Sequence, residues 1–522
     1  RPALDFLGRR TSYGELGRMV DQAARGFQQL GVKKGIKVGL CLPNTPYFII
    51  SYYAVLKAGG TVVNFNPLYV EREIAHQIKD SGITLMVTLD LRQIYPKIKA
   101  MLDRTCLEKV VVCRMADILP SVQGLLFQVL KRSELADAPA DLRHITFAQL
   151  MANDGQLKPL EIDPKTDIAV LQYTGGTTGL PKGAVLTHAN ITGNTDQLRR
   201  WVPDIQDGQE RMLCVLPLFH VFAMTVAMNL GIAFGAEMIL LPRFDLEQVM
   251  KCIAKKRPTL FPGVPTIYTA LNGAAEKGGW DLSSIRCCIS GGAPLPVEVR
   301  ARFEQLTGCR LVEGYGLSEA SPVVTCNPFD AVKAGSVGLP LPGTTVEIRA
   351  PHDPTLLLGR GEKGEICVRG PQVMPGYWQR PADTEMVFVE GALRTGDIGY
   401  IDDDGYLFLV DRIKDVIISG GYNIYPRVIE EALYQHPAVA ETVVIAVPDQ
   451  YRGQAPKAFV RLRDGYRATP EDLRQFLTDY VSRIELPKAI EIRDTLPKTM
   501  VGKLSKKELI AEEEAKAAGG GS

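Results

Sequence analysis

The stretch at residues 172–190, QYTGGTTGLPKGAVLTHAN, has the composition of a loop that holds phosphate groups. It carries four glycines, four threonines and Lys182 between apolar flanks. Glycine lets a backbone approach a ligand closely, N–H groups and hydroxyls bind phosphate oxygens, and lysine adds a compact positive charge. Lys182 lies between Pro181 and Gly183, which excludes a Walker A loop, since that loop requires GxxxxGK followed by Ser or Thr. A phosphate-binding loop of another type is predicted, with a surface turn as the alternative.

Strand and helix patterns on both sides of this stretch indicate how it is positioned. DIAVLQYT before it predicts a strand, and HANITGNTDQLRRW after it predicts a helix. The first third of the chain alternates in the same way, with KVGLC, TVVN, LMVTL and KVVVC as strands between helical segments. This order indicates parallel α/β layers. No element is assigned between about residues 119 and 159.

The pattern changes toward the C-terminal end. Beyond residue 335, short strands such as GEICVRG and GYLFLV are separated by Gly, Pro and Asp, which predicts a small antiparallel or β-barrel-like part. Further on, TPEDLRQFLTDYV predicts a helix with a Thr cap and an acidic first turn. We predict an α/β fold with a large N-terminal domain of layered α/β subdomains (1–411), a small α+β C-terminal domain (412–515) and a flexible linker (516–522).

Composition argues against several classes of protein. Sixty Lys and Arg residues balance 59 Asp and Glu, so the net charge of +1 gives no general attraction for nucleic acid. The ten cysteines include no CxxC pair and the six histidines form no metal-ligand motif, which favours reduced, mostly buried thiols. The first residues lack the apolar segment of a signal peptide, and a cytoplasmic location is expected.

The segment at residues 218–236, LFHVFAMTVAMNLGIAFGA, is 19 residues long and uncharged, close to the length of a membrane span. It contains His220, Thr225 and Asn229, follows Pro217 and lacks a basic N-terminal flank. We therefore predict a buried helix rather than a span. Its small residues could line a deep apolar tunnel or simply let helices pack closely, and both alternatives are open.

The loop YTGGTTGLPKG resembles the signature of the adenylate-forming superfamily, which comprises acyl-CoA synthetases, peptide-synthetase adenylation domains and luciferases. Further stretches match that family's motifs in the same order: AVLKAGG, PLFH, SGGAPL, EGYGLSEA, GSVGLP, GEICVRGPQVMPGYWQRP, RTGDIGYIDDDGYLFLVDRIKDVIISGGYNIYP and LPKTMVGK. The resemblance covers nearly the whole chain. It is strongest to bacterial long-chain fatty acyl-CoA synthetases, through EGYGLSEASPVVTCNP, GPQVMPGYWQRP and IEIRDTLPKTMVGKLSKKEL.

The resemblance implies a two-step reaction that uses ATP, Mg²⁺ and CoA. A fatty acid carboxylate attacks the α-phosphate of ATP to give acyl-AMP and pyrophosphate, and the CoA thiol then displaces AMP. The alternatives are a medium-chain, aryl or dicarboxylic acid–CoA ligase, or a fatty-acyl-AMP ligase. A fatty-acid uptake or membrane-binding protein with a vestigial ATP site belongs to a different class.

The resemblance also implies the site residues. The predicted catalytic residues are Lys503, His220, Thr174 and Lys182. The predicted ATP site comprises Thr174, Gly175, Gly176, Thr177, Thr178, Gly179, Lys182, Gly291, Gly292, Ala293, Glu313, Gly314, Tyr315, Gly316, Ser318, Asp397, Arg412 and Lys503. Within it, Tyr315 is expected to stack on adenine, Asp397 to accept from the ribose hydroxyls, and Lys503 to stabilise charge at the α-phosphate. Ser318 replaces the Thr that the family more often has and keeps its hydroxyl.

The remaining roles concern metal, acyl group, CoA and domain movement. Glu319 is the expected Mg²⁺ ligand, and Lys414 is the expected hinge about which a mobile C-terminal domain rotates between half-reactions. The expected acyl site comprises His220, Val221, Phe222 and Gly314, and the expected CoA site comprises Ser419, Gly420 and Gly421. A core histidine is the alternative for His220.

Two expectations about assembly accompany the resemblance. A homodimer and a peripheral position on the inner membrane both fit it, the second because the substrate is a lipid. The sequence displays no basic amphipathic helix that would establish membrane association.

Overall fold

The computed structural model describes residues 1–174, 181–419, 422–449, 451–499 and 502–519. Within these ranges the strands are β1 (Pro2–Phe6), β2 (Arg9–Ser12), β3 (Lys37–Cys41), β4 (Thr61–Asn64), β5 (Leu85–Leu89), β6 (Lys109–Cys113), β7 (His144–Thr146), β8 (Ile168–Thr174), β9 (Lys182–Thr187), β10 (Arg211–Cys214), β11 (Glu237–Leu240), β12 (Cys287–Ser290), β13 (Arg310–Gly316), β14 (Val323–Cys326), β15 (Leu339–Pro340), β16 (Thr345–Ala350), β17 (Asp353–Leu357), β18 (Gly364–Arg369), β19 (Phe388–Val389), β20 (Ala392–Ile401), β21 (Leu407–Arg412), β22 (Ile417–Ser419), β23 (Tyr422–Ile424), β24 (Val439–Asp449), β25 (Gly453–Leu462) and β26 (Ala489–Ile492).

The α-helices lie between these strands. They are α1 (Tyr13–Gln29), α2 (Pro46–Lys57), α3 (Glu71–Ser81), α4 (Tyr95–Arg104), α5 (Ser121–Leu130), α6 (Phe147–Met151), α7 (His188–Trp201), α8 (Val221–Ala223), α9 (Leu230–Ala233), α10 (Leu246–Lys256), α11 (Pro265–Glu276), α12 (Val297–Thr307), α13 (Pro381–Met386), α14 (Pro426–Tyr434), α15 (Pro470–Leu477) and α16 (Lys507–Gly519). The alternation of the two lists confirms the predicted α/β class.

One sheet has the strand order β7-β6-β5-β3-β4-β8-β9 and carries the phosphate-loop candidate at its edge. Its pairs are parallel except β8 with β9, which is antiparallel and pairs Thr174 with Lys182. Buried runs of Val, Leu and Ile fill its strands, as is typical of parallel sheets covered on both faces. The sequence predicted a loop leading straight into α7, but β9 intervenes and Lys182 is its first residue.

A second layer combines two four-stranded arrays, β10-β11-β1-β2 and β12-β13-β14-β15. Leu260 joins them, because it forms parallel bridges to Met212 of β10 and to Cys287 of β12. The strands β12 and β13 are parallel, and their carboxyl ends carry Ser290 and Gly316. Ligands of open α/β sheets bind at such carboxyl ends.

The expected β-barrel-like part is an antiparallel sheet in the order β17-β16-β18-β20, with β19 and β21 both paired to β20. The pair β20–β21 sets Asp397 opposite Arg412. The predicted domain boundary, 411/412, therefore falls inside the last strand of this sheet, and the boundary stays a prediction.

The C-terminal region forms a sheet in the order β23-β22-β25-β24, with β26 parallel to β25. The helices α14 and α15 bury Ile429, Leu433, Leu473 and Leu477 in its core. The predicted Thr cap of α15 is confirmed, because the Thr469 side chain accepts from Asp472 N in a capping box. The helix α16 extends to Gly519, so residues 516–519, which the sequence assigned to a flexible linker, are helical because the alanine-rich end propagates the helix.

The uncharged segment 218–236 is helical and largely buried, as predicted. It consists of α8, a π-helix at Met224–Asn229 and α9, and every residue of the π-helix is buried. In the part of the chain that the structure describes, no helix is long and apolar enough to cross a membrane.

Candidate active site

Lys503 lies in a tight turn that contacts the N-terminal region. Its backbone N–H donates to Thr499 Oγ1 at 3.1 Å, while Thr499 N donates to the Lys503 carbonyl at 2.6 Å. Gly502 has φ +81°, a left-handed conformation that favours glycine. The hydroxyl of Thr266, in the first turn of α11, donates to the Gly502 carbonyl at 2.8 Å. This bond fixes the turn against the domain that holds the other predicted site residues.

The side chain of Lys503 lies directly over Gly292. A Cβ atom placed on Gly292 would lie 2.4 Å from Lys503 Cε and 2.9 Å from Nζ, so a larger residue there would displace the end of the lysine side chain. The two residues border a cavity of about 20 Å³ that is also lined by His220 and Phe222. Burial, and then the positive charge of Arg412, lower the pKa of Lys503 to about 8, although Asp397 opposes the shift.

His220 caps the short helix α8. Its Nδ1 accepts a hydrogen bond from Phe222 N at 3.3 Å, which leaves the proton of a neutral ring on Nε2. Burial, and then the charge of Lys503, lower the pKa of His220 to about 3. The ring is neutral at physiological pH and shares a cavity with Lys503, as an acyl-lining residue would.

The predicted ribose site is a three-residue cluster in which Tyr315 and Asp397 are buried and Arg412 is partly exposed. Tyr315 donates its hydroxyl hydrogen to Asp397 Oδ2 at 2.6 Å, and Arg412 Nε lies 3.2 Å from Asp397 Oδ1. Burial would lower the pKa of Arg412, but Asp397 and then Asp415 outweigh it and raise the pKa. Both oxygens of Asp397 are thus held in place, and the arrangement can present a bidentate acceptor to a pair of hydroxyls.

The predicted phosphate and metal residues meet around Tyr377. The phenol of Tyr377 donates to Glu319 Oε1 at 2.7 Å, and Lys182 Nζ lies 5.4 Å from the centre of the Tyr377 ring. Lys182 also forms an ion pair with Asp383 at 2.5 Å. The sequence assigned no role to Tyr377 or Asp383. The signal was present, because Tyr377 lies in the family-like stretch GPQVMPGYWQRP and Asp383 follows it closely.

Glu319 suits a hard cation held jointly with phosphate. Among the described residues no three His, Cys, Asp or Glu side chains converge on one point. Mg²⁺ is commonly bound by one or two carboxylates together with substrate phosphates, and it keeps several waters. A single oriented carboxylate next to the phosphate-loop candidate fits that chemistry.

Several predicted ATP-site glycines have close neighbours. A Cβ on Gly291 would lie 3.0 Å from the Phe222 ring, and one on Gly316 would lie 2.0 Å from the Pro322 carbonyl. At Gly314 the nearest atom, the Thr325 carbonyl, is 3.3 Å away. Close packing against β14 and the residue before it therefore favours glycine at positions 314 and 316, whether or not these residues contact the nucleotide.

Glu313, on β13, lies close to Arg427 of α14 and to the backbone of Leu295, which precedes α12. Burial raises the pKa of its carboxyl to about 7; Arg427 and a hydrogen bond from the Leu295 backbone oppose the shift. The side chain of Glu313 therefore bonds within the protein, while its backbone carbonyl accepts from Asn327 N at 2.9 Å. Any role in ATP binding stays a prediction.

The remaining predicted residues lie near these groups or outside the described ranges. Val221 and Phe222 begin α8, and Ser318 begins a 3₁₀ turn at Ser318–Ala320 that contains Glu319. Ala293 follows Gly292 in the loop after β12. The residues Gly175, Gly176, Thr177, Thr178, Gly179, Gly420 and Gly421 lie outside the described residues.

The predicted hinge lies between β21 and β22. Lys414 occupies a 3₁₀ turn at Ile413–Asp415, and burial and Arg412 lower its pKa. On the C-terminal side, Lys506 Nζ lies 3.4 Å from Asp415 and 3.8 Å from Glu430, tying the turn to α14. Ser419 ends β22 and is fully buried.

Comparison with known proteins decides the family. The model of AMP-binding enzymes matches residues 1–378, and that of the AMP-binding enzyme C-terminal domain matches residues 428–503. This chain belongs to the AMP-binding enzyme family. The predicted adenylate-forming superfamily is thereby confirmed, while the roles of individual residues stay predictions.

Relatives of this AMP-binding enzyme include ligases and solved structures. The long-chain-fatty-acid–CoA ligase of Bacillus subtilis (strain 168) is 45% identical over 98% of this chain and 92% of its own. ATP-bound MatB from Rhodopseudomonas palustris superposes with a TM-score of 0.85 at 28% identity, covering 99% of this chain and 95% of that one. The anthranilate CoA ligase AuaEII in complex with anthranoyl-AMP gives a TM-score of 0.88 at 25% identity, with the same coverage. The predicted fold class is confirmed.

Proposed function

We propose that this AMP-binding enzyme is an ATP-dependent long-chain fatty acid–CoA ligase that forms acyl-AMP and then acyl-CoA. The observation that carries the proposal is its similarity, over nearly the full length of both chains, to a ligase of that name from Bacillus subtilis. The cluster of Lys503, Arg412 and Asp397 gives the proposal a chemical basis.

In the first half-reaction a carboxylate oxygen attacks the α-phosphorus. A new P–O bond forms, the bond between the α-phosphorus and the bridging oxygen breaks, and pyrophosphate leaves. The enzyme must bring two anions together, so positioning and positive charge supply most of the catalysis. Arg412 is close enough to Lys503 to lower the pKa of the lysine, and Lys503 lines the same cavity as His220.

The nucleotide is proposed to lie between the two polar clusters. Asp397 accepts from the ribose hydroxyls, with Tyr315 and Arg412 holding its oxygens in place. Lys182 exchanges its contact with Asp383 for phosphate oxygens. Glu319 is the residue that would hold Mg²⁺, which supplies neutralising charge on those oxygens.

The neutral His220 ring favours an uncharged acyl chain over a second carboxylate. A second cavity is lined by Val226 and Leu230, from the π-helix and α9, and by Phe261. Its volume, about 20 Å³, has room for about one water, so an alkyl chain requires these side chains to move apart. Its wholly apolar lining favours a fatty acid over an aryl or dicarboxylic acid.

In the second half-reaction the sulfur of CoA attacks the acyl carbonyl and AMP leaves. Rotation about Lys414 would remove Lys503 from the site and bring the segment that follows Ser419 toward the pantetheine arm. Gly420 and Gly421 belong to that segment. One mobile domain would thus serve both steps.

The test measures pyrophosphate and AMP release with ATP, Mg²⁺ and CoA across saturated fatty acids of increasing length. Pyrophosphate release that peaks at long chains, with AMP turnover dependent on CoA, is the expected result. If pyrophosphate release is highest with short-chain, aryl or dicarboxylic acids, the assignment of a long-chain substrate is wrong. Acyl-AMP that accumulates and transfers only to a carrier protein would indicate a fatty-acyl-AMP ligase. An absence of turnover with every acid tested would indicate a vestigial ATP site.

Lys503→Ala separates the two half-reactions. The variant is expected to lose acyl-AMP formation by about a hundredfold or more, because a cation beside the α-phosphate is removed. It should largely retain thioester formation from supplied acyl-AMP, since the lysine leaves the site for that step. Equal loss in both steps would contradict the two-state assignment.

We also propose that the enzyme is cytoplasmic and binds its apolar substrate at the inner membrane. A homodimer is the expected assembly, by resemblance, and light scattering of the full chain would measure its mass.

A further inference from the structure

The helix α5 exposes five large apolar side chains to solvent. They are Val122, Leu125, Leu126, Val129 and Leu130, each between 49% and 72% exposed. Their spacing of i, i+3, i+4, i+7 and i+8 places them on one stripe of the helix. A stripe with this spacing normally faces a protein core, and here it faces outward.

The inner side of α5 explains this orientation. Gly124 is the buried residue of the helix, and a Cβ atom on it would lie 2.6 Å from the Ala116 carbonyl. The helix backbone therefore lies directly on the 3₁₀ turn at Met115–Ile118, with Phe127 packed partly against the main core. Because the side of α5 that carries Gly124 packs against the protein, the opposite side, with the leucines and valines, faces solvent.

Two basic residues lie at the C-terminal end of the apolar stripe. The helix contains no charged residue, and Lys131 and Arg132 follow it immediately. Both are exposed and pair with acidic neighbours, Lys131 with Glu134 at 2.6 Å and Arg132 with Asp137 at 3.2 Å. Exposed pairs of this kind are weak, so lipid phosphates can replace the carboxylates.

We propose that α5 docks this enzyme on a phospholipid bilayer, with its apolar stripe in the interface and Lys131 and Arg132 at anionic headgroups. A lone ten-residue helix is about 15 Å long and about 10 Å wide, so its outer face covers on the order of 150 Å². A stable dimer needs about 800 Å² per partner, which this face does not supply. A bilayer requires no matching surface, and it binds uncharged stripes flanked by basic residues. The purpose of docking, access to fatty acids dissolved in the membrane, rests on the proposed function; the docking itself does not.

The experiment is co-sedimentation of the full chain with vesicles of phosphatidylcholine and phosphatidylglycerol, without ATP, CoA or fatty acid. The wild type is expected to bind. Leu125→Gln combined with Val129→Gln should weaken partitioning at least about tenfold, because two apolar side chains leave the interface. Glutamine keeps the helix propensity and adds no charge.

A matched control removes a comparable amount of exposed apolar surface elsewhere. Leu356→Gln combined with Leu357→Gln, on β17, alters side chains that are 51% and 57% exposed and should leave binding unchanged. Lys131→Gln combined with Arg132→Gln should reduce binding to vesicles that contain phosphatidylglycerol several-fold and change binding to pure phosphatidylcholine little.

Three outcomes would overturn the docking proposal. The wild type does not sediment with vesicles, or the β17 control loses binding as much as the α5 variant, or the chain forms a dimer that the α5 variant dissociates. The third would assign the stripe to a second copy. Activity with a water-soluble short acid should be unchanged in the α5 variant, which also shows that it folds. Failure of ligase activity in the wild type would overturn the proposed function and leave the vesicle result standing.

Discussion

The ammonium group of Lys503 lies where burial and Arg412 both oppose its charge, and its pKa is about 8 as a result. The proposed chemistry needs the charged form, whose fraction falls as pH rises through that value. We expect kcat/KM for ATP to fall about tenfold per pH unit above the pKa, since kcat/KM reports groups of the free enzyme. His220, with a pKa of about 3, should contribute no change near neutrality.

Lys503→Arg tests that assignment, because a guanidinium stays charged throughout the range. The variant should be slower at all pH values but lack the falling limb. If wild type and variant fall together at high pH, another group controls the profile.

Tyr377 connects two predicted functions, since its hydroxyl holds Glu319 and its ring lies beside Lys182. Tyr377→Phe removes only the hydrogen bond to Glu319. We expect the Mg²⁺ concentration for half-maximal rate to rise about tenfold, as is usual when a partner of a metal ligand is lost. Titration of Mg²⁺ at saturating ATP measures it.

Tyr406→Phe is the control for Tyr377→Phe, because it removes a hydroxyl that donates to the Ala331 carbonyl instead. Its Mg²⁺ requirement should equal that of the wild type. An unchanged requirement in Tyr377→Phe would contradict the role given to Glu319.

At the scale of elements, two of the three glycines in helix α1 have opposite surroundings. A Cβ on Gly26 would lie 2.1 Å from the Leu150 carbonyl of α6, whereas one on Gly17 meets nothing within 4 Å. Gly26→Ala should destabilise the fold by about 1–3 kcal/mol through overpacking, and Gly17→Ala should stabilise it by about 0.5–1 kcal/mol.

Thermal unfolding of the two alanine variants compares them directly. Gly26→Ala is expected to lower the midpoint and Gly17→Ala to raise it. The same shift in both would mean that α6 moves away without cost, which would contradict the close packing of these helices.

The sequence predicted elements whose pattern is local. Strand β8, helix α7 and the cap of α15 follow from apolar runs and a Thr followed by acidic residues, and all three are present. Strand β9 was missed because KGAVLT is short and follows a glycine-rich loop. Helix α5 was missed because its stripe faces solvent, and neither that orientation nor the contact of Gly124 with Ala116 is a property of local sequence.

The site was predictable to the extent that the family resemblance named it. Asp397 and Arg412 are paired between the consecutive strands β20 and β21, and Tyr315 of β13 joins them only through tertiary packing, so only the resemblance linked the three residues in advance. The proximity of Glu313 to Arg427 of α14 depends on tertiary packing, which no spacing encodes. Hydrogen bonds such as that of Tyr377 with Glu319 likewise depend on tertiary structure.

At the scale of the whole molecule, the C-terminal region meets the N-terminal region through the turn that carries Lys503. Thr266→Val removes the hydrogen bond to the Gly502 carbonyl while keeping the side-chain shape. A bond of this kind contributes about 1 kcal/mol, which is about fivefold in the population of the arrangement. We expect acyl-AMP formation to slow by about that factor, and thioester formation from supplied acyl-AMP to be unchanged or faster.

Thr269→Val is the matched control on the same helix, because Thr269 donates to the Pro265 carbonyl within α11. Stopped-flow measurement of each half-reaction compares the two variants. Equal effects of both substitutions on acyl-AMP formation would show that the helix, rather than the contact between domains, is responsible.

The distribution of thiols makes that domain movement accessible to fluorescence. All ten cysteines are free, Cys106 is the exposed one, and residues 412–522 contain none. Burial raises the pKa of thiols such as Cys41 to about 12, which makes them slow to react with maleimides. A single added thiol at the exposed Tyr451 would therefore give a donor and acceptor pair with Cys106 in the otherwise native chain. Energy transfer between the two dyes would report the distance between the C-terminal domain and Cys106 in real time during turnover.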